Sequence, residues 1–97
     1  MASYKAQREG DPNTAGGIAL GGAISVLTNG RPAGIPDMTV TPHSPCEVPV
    51  PPHCNAKTVS SCQSVLIEGK PALRTDVDKD TCNHPRAMGS EDVLIGD

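Results

Sequence analysis

Tryptophan and phenylalanine are absent and tyrosine occurs once, as Tyr4, so the chain has almost no aromatic area with which to fill a core. An ordinary helical bundle or a doubly wound α/β fold is thereby disfavoured. Apolar runs are no longer than stretches such as Val65-Leu66-Ile67, and nothing is long enough to span a bilayer. Basic residues are few and scattered, eight Lys and Arg against eleven Asp and Glu. They form no cationic patch, and without aromatics there is no stacking platform, so nucleic acid is not an expected partner. The polar start, Met1 through Gly10, carries no apolar signal-peptide core. Synthesis in the cytoplasm without a signal peptide is expected, with Cys46, Cys54, Cys62 and Cys82 kept reduced there.

What is abundant is turn chemistry: ten Gly and ten Pro in 97 residues, about twice the share of an average protein. A chain of this length makes one domain, residues 1–97, built from short elements and needing a staple such as a metal or a disulfide. The sequence also repeats. Ser25-Val26-Leu27-Thr28-Asn29-Gly30-Arg31-Pro32-Ala33 aligns without gaps on Ser64-Val65-Leu66-Ile67-Glu68-Gly69-Lys70-Pro71-Ala72. A third, truncated copy, Gly89-Ser90-Glu91-Asp92-Val93-Leu94-Ile95-Gly96-Asp97, aligns on residues 22–30. Three copies of one unit predict pseudo-threefold symmetry.

Asn29-Gly30 between short extended segments predicts a two-residue type I′ hairpin, and Pro32 and Pro71 belong at an edge or a strand start. Gly16-Gly17 and Gly21-Gly22 bracket a brief strand at Ile18-Ala19-Leu20. No window supports a helix, so the expected fold is all-β, built of short β-hairpins with pseudo-threefold repeat symmetry. The Val-Leu pairs of the three units (Val26 and Leu27, Val65 and Leu66, Val93 and Leu94) serve either the core or a partner interface.

All histidines and cysteines fall between His43 and His84, outside the first unit. Imidazole and thiolate are the usual ligands of a tetrahedral zinc site, and binding there is coupled to folding. His43, His53, Cys82 and His84 are the candidate ligands, because His43 and the Cys82-x-His84 pair follow Asp-containing turns at equivalent places in two units. Zinc is the expected ion, with iron as an alternative. The Pro-rich segment 39–55, which carries His43, Cys46, His53 and Cys54, reads as an ordered ligand-bearing loop, and a Cys46 to Cys54 disulfide is an alternative use of its thiols. Asp76-Val77-Asp78-Lys79-Asp80 lacks the Gly and the closing Glu of a calcium loop and reads as a solvated turn. Cys and His together can form a nucleophile and its base, but no nucleophile motif accompanies them and so thin a core leaves little room for a substrate pocket. The chain is not read as an enzyme.

The segments Gly10-Asp11-Pro12-Asn13-Thr14-Ala15-Gly16-Gly17, Val26 to Ala33, Val65 to Arg74 and Asp78-Lys79-Asp80-Thr81-Cys82 together resemble a PAAR-repeat protein. The naming motif survives as Pro71-Ala72-Leu73-Arg74, with a degraded copy at Pro32-Ala33-Gly34. The resemblance implies that the hairpins form a small cone, the tip of a contractile injection machine, on a phage tail spike or a type VI secretion spike. One copy would cap a trimeric β-helical spike protein, carry a metal near the apex, contact the target envelope transiently and reside at the tail tip or pass through the apparatus. It also implies a first ligand after Asp11-x-x-Thr14. That position is Ala15 here, so His53 or His84 would complete the set. The chain would be a bare tip with no fused toxin. A small zinc-binding interaction module without a piercing role is the alternative reading.

Overall fold

The computed structural model describes residues 3–43 and 54–96. Among them there is no helix, and every strand is two residues long. In chain order these are β1 (Tyr4–Lys5), β2 (Ala19–Leu20), β3 (Leu27–Thr28), β4 (Arg31–Pro32), β5 (Thr39–Val40), β6 (Leu66–Ile67), β7 (Lys70–Pro71) and β8 (Leu94–Ile95). β3 pairs with β4 and β6 with β7 across tight turns. The central turn residues have φ of 55° and 78° at Asn29 and Gly30, and 53° and 78° at Glu68 and Gly69, as a type I′ turn demands. β2 pairs with β5.

The third hairpin is made from the two ends of the chain. β1 pairs antiparallel with β8, Lys5 opposite Leu94, just as Pro32 lies opposite Leu27 and Pro71 opposite Leu66. Lys5-Ala6-Gln7-Arg8 thus completes the unit that the repeat at residues 89–97 leaves open. In all three units the Ala that follows donates to the Val before the hairpin: Ala33 to Val26 (2.9 Å), Ala72 to Val65 (3.0 Å) and Ala6 to Val93 (2.9 Å).

Above the hairpins the three segments close on one another in two rings of main-chain hydrogen bonds. In the first, Gln7 donates to Leu73 (3.1 Å), Leu73 to Gly34 (3.1 Å) and Gly34 to Gln7 (2.8 Å). In the second, Thr14 donates to Pro85 (3.0 Å), Thr81 to Lys57 (2.9 Å) and Thr41 to Ile18 (2.9 Å). The second ring joins three loops closed by the bridges Pro12 to Ile18, Thr39 to Lys57 and Lys79 to Pro85. The predicted pseudo-threefold arrangement of hairpins is therefore present in the backbone itself.

Three strands crowding one axis favour small side chains. The apolar clusters are accordingly rich in Ala: Ala19, Ala23 and Ala33 with Met38 and Leu73 in one, Ala6 and Ala72 with Cys62 and Ile95 in another. Polar pairs fill what apolar volume cannot. Arg74 grips Asp78 through Nη2 (2.8 Å) and Nε (3.1 Å), and wholly buried Arg86 bonds Asp80 through Nη1 (2.7 Å). The expectation of a solvated turn over residues 76–80 is corrected here. Asp78 and Asp80 are buried, because each is desolvated only together with an arginine that neutralises it. Arg8 and Asp11 repeat the Arg74 and Asp78 arrangement, with the Arg main-chain N–H also donating to the carboxylate in both.

Gly34 shows how tightly the first ring is drawn. A Cβ there would lie 2.7 Å from the carbonyl oxygen and 3.0 Å from the carbonyl carbon of Gln7, which is backbone and cannot rotate aside. Gly34→Ala is expected to cost about 1–3 kcal/mol, the range for overpacking, seen as a lower urea midpoint at unchanged slope. An unchanged midpoint would show that the ring tolerates expansion.

Candidate functional site

The loops of the second ring carry the imidazole and thiol groups to one place. His43, Cys82 and His84 present ligand atoms that all lie within 4.8 Å of one another. His43 and Cys82 are buried and His84 is half-buried. The positions follow from the repeat: each loop leaves the ring after its Thr donor, and the three side chains that meet stand one to three residues beyond Thr41 and Thr81.

Hydrogen bonding and burial act on these side chains in different ways. His43 Nδ1 lies 2.9 Å from the Thr41 carbonyl, which can only accept, so Nδ1 donates this bond and the orientation of the ring is set by it. The His43 and His84 rings meet edge to face with centroids 5.3 Å apart. Burial, supported by the Asp80 carboxylate, pushes the Cys82 thiol above its ordinary value against the pull of the His84 main-chain amide. A tetrahedral ion with bonds of about 2.0–2.3 Å to nitrogen and sulfur sets its ligand atoms roughly 3.3–3.8 Å apart. Small side-chain rotations therefore separate the present arrangement from a coordinated one, and the three residues could hold a metal ion.

Of the four predicted ligands, these three come together; His53 lies outside the described residues, as does Cys46. Cys54 is disulfide-bonded, which corrects the expectation that all four cysteines stay reduced, while Cys62 and Cys82 are free thiols. Burial keeps both from reaching an oxidising partner. Position 15 lies in the loop equivalent to that of Cys82, so the first loop brings no ligand of its own.

The opposite end carries the Val-Leu pairs, and there the structure separates what the sequence left open. Leu27, Leu66 and Leu94 are 62%, 62% and 61% exposed, a threefold set of leucines facing solvent. Val26 and Val93 are exposed beside them, whereas Val65 packs against the Ala6, Cys62, Ala72 and Ile95 cluster. The turn of each hairpin reaches the next unit: Glu68 accepts from Ser25 N and Oγ (2.7 and 2.6 Å), Asn29 accepts from Ser90 Oγ, and Gly96 O accepts from Cys62 Sγ (3.6 Å). This third closed ring holds the leucines in a fixed triangle. A cavity of about 350 Å³ beside the third hairpin, between Tyr4, Lys5, Thr75, Asp76 and Met88, contains neither thiol nor imidazole.

Comparison with models of known protein families and with curated proteins finds no match to this chain.

A change at Gly17 tests the candidate metal site without replacing His43, Cys82 or His84. A Cβ there would lie 2.6 Å from His43 Nδ1 and 2.7 Å from Val40 Cγ1, so Gly17→Ala must displace the His43 ring from its bond to Thr41. The expected result is a loss of metal affinity of about tenfold or more, as for other disturbed ligand orientations, read by competition with a chromophoric chelator. Because the Cys82 thiol is held protonated at neutral pH, ion binding releases its proton. Wild-type affinity should then rise about tenfold between pH 7 and pH 8, one proton being displaced. Affinity independent of pH would remove Cys82 from the ligand set.

Proposed function

We propose that the protein is a structural spike tip: its leucine-bearing end caps a trimeric β-helical spike protein, one copy per trimer, and its metal-bearing end leads. The observation that carries this reading is the equal exposure of Leu27, Leu66 and Leu94 at equivalent places in three hairpins of one chain. A monomer gains nothing from such a set, and a second monomer could match it only in part. The end of a threefold homotrimer offers three identical apolar sites at matching angles. It also ends in three unpaired strand edges, which a cap protects from pairing elsewhere. The sequence resemblance to PAAR-repeat proteins supports the same reading and supplies the setting, a contractile injection system of a phage tail or a type VI secretion apparatus.

At the other end, zinc is the ion best suited to two imidazoles and one thiolate, with iron as the alternative. When bound it would cross-link the second and third loops and stiffen an end that has no large apolar side chain to spare. The chain's own part is mechanical. Buried Arg and Asp pairs and the hydrogen-bonded rings resist shear, and the leucine face passes the load to the spike as the tip crosses a target envelope. A small zinc-binding interaction module would use the same metal centre, but it leaves the threefold leucine set without a purpose.

Mixing the protein with its trimeric spike is expected to give a complex of one chain per trimer by light scattering. Leu27→Glu, Leu66→Glu and Leu94→Glu combined should abolish it without loss of thermal stability, since all three side chains already face water. Single Leu→Ala changes should weaken binding roughly 5–30-fold, as anchor residues do. Absence of a complex with the wild type, or survival of the complex in the triple variant, would overturn the proposal.

A further inference from the structure

The first loop repeats the backbone of the third. Asn13 donates to Gly17 O (2.8 Å) as Asp80 donates to His84 O (3.0 Å), and Gly16 donates to Asn13 O (3.1 Å) as Asn83 donates to Asp80 O (2.8 Å). Gly16 and Asn83 both have positive φ, 89° and 70°. The equivalence sets Ala15 at Cys82, Gly17 at His84 and Asn13 at Asp80. Deprived of both ligand positions, the first loop still sends one side chain into the metal centre.

That side chain is Asn13, which is buried. Its Oδ1 accepts the main-chain N–H groups of Ala15 (2.9 Å) and Gly17 (2.8 Å). Two donors facing this atom fix the orientation of the amide, because only oxygen can accept them. Nδ2 therefore points the other way, 2.9 Å from Asp80 Oδ2 and 3.8 Å from Cys82 Sγ, with one hydrogen for each. All four bonding positions of the amide are used. Arg86 holds the arrangement from behind, with Nη1 on Asp80 Oδ2 (2.7 Å), Nε on Gln7 Oε1 (3.0 Å) and Nη2 on the Asp11 carbonyl.

We propose that Asn13 is a positioning residue of the metal centre, donating a hydrogen bond to the Cys82 sulfur and separating it from the Asp80 carboxylate. A thiolate and a carboxylate in a site this dry repel each other, and the Asn13 amide is the neutral group that serves both with an N–H. The first loop thus supports the sulfur in place of supplying a ligand. Donors to the ligand atoms of a metal orient them and tune the bond, and losing one costs about 10–100-fold in affinity. The inference rests on the reading of His43, Cys82 and His84 as a metal site.

Cobalt(II) is the probe, since its thiolate-to-metal charge-transfer band reports the electron density on sulfur. Asn13→Asp retains the Oδ1 acceptor for both turn amides and alters only the side facing Asp80 and Cys82; Asn13→Ala removes both. In each variant, the band is expected at lower energy than in wild type, because a sulfur without its donor gives up an electron more easily. Affinity in Asn13→Ala should fall about 10–100-fold. Cys82→Ser alone and combined with Asn13→Ala completes a double-mutant cycle. If Asn13 acts through the sulfur, its removal costs little more once the sulfur is gone. Wild-type band energy and affinity in the folded Asn13→Asp variant, or an undiminished Asn13→Ala loss in the Cys82→Ser background, would overturn the inference while leaving the metal site intact. Wild-type protein that binds no cobalt would overturn the metal site and this inference with it.

Discussion

The closure of three chain segments around one axis by main-chain hydrogen bonds is the constraint on which everything else depends. Each ring consists of three bonds in one rotational sense, so no segment is an edge and none can shift register alone. The two-residue strands would be worthless in isolation, since a lone hairpin of that length has no stability in water. They persist because each is locked to two neighbours at several heights. The cost of this closeness is paid in side-chain volume, and it explains clusters rich in Ala and a Gly at position 34, where the backbone of Gln7 leaves no room for a Cβ.

A core of that kind buries little apolar area, and the shortfall of aromatics noted in the sequence becomes intelligible. Stability is drawn instead from polar groups that are buried in complementary sets. Arg86, Asp80, Gln7 and Asn13 form one such set, and Arg74 with Asp78 another. Removing one partner would strand a charge in a dry interior, which is far more damaging than losing the pair together. The acidic run at residues 76–80 was illegible for this reason. Three Asp spaced by Val77 and Lys79 read as solvated from sequence, and the approach of Arg74 to Asp78 and of Arg86 to Asp80 reverses this for those two.

The hairpin turns, the absence of helix and the threefold repeat were legible because they depend on local chemistry: Asn or Glu before Gly at positive φ, and Pro at fixed places. The third hairpin was not, because its strands come from opposite ends of the chain and Tyr4-Lys5 carries no Gly or Pro. One signal was present. Ala6 and Arg8 stand in the same register as Ala72 and Arg74, and their partners Asp11 and Asp78 follow at nearly the same distance. The gathering of His43, Cys82 and His84 was legible from equivalence between units, whereas the support that Asn13 gives to Cys82 was hidden, since an Asn in a turn is ordinarily explained by the turn.

The two ends of the molecule treat its symmetry differently. At the leucine end the side chains keep the threefold order of the backbone, with Leu27, Leu66 and Leu94 equally exposed at equivalent places. At the other end the backbone stays threefold while the side chains diverge: Cys82 and His84 in one loop, His43 in another, Ala15 and Gly17 in the first. Full repetition would place three Cys-x-His pairs around one axis, six donors where a tetrahedral ion accepts four. Three buried thiolates would also repel one another in a site where even one is unfavourable. A single ion on a pseudo-threefold axis therefore demands broken symmetry. The first loop, with Ala15 and Gly17 at the equivalent positions, places a glycine against His43 and an amide against the sulfur, so the asymmetry of the sequence at this end is of the kind that a site able to hold one tetrahedral ion needs.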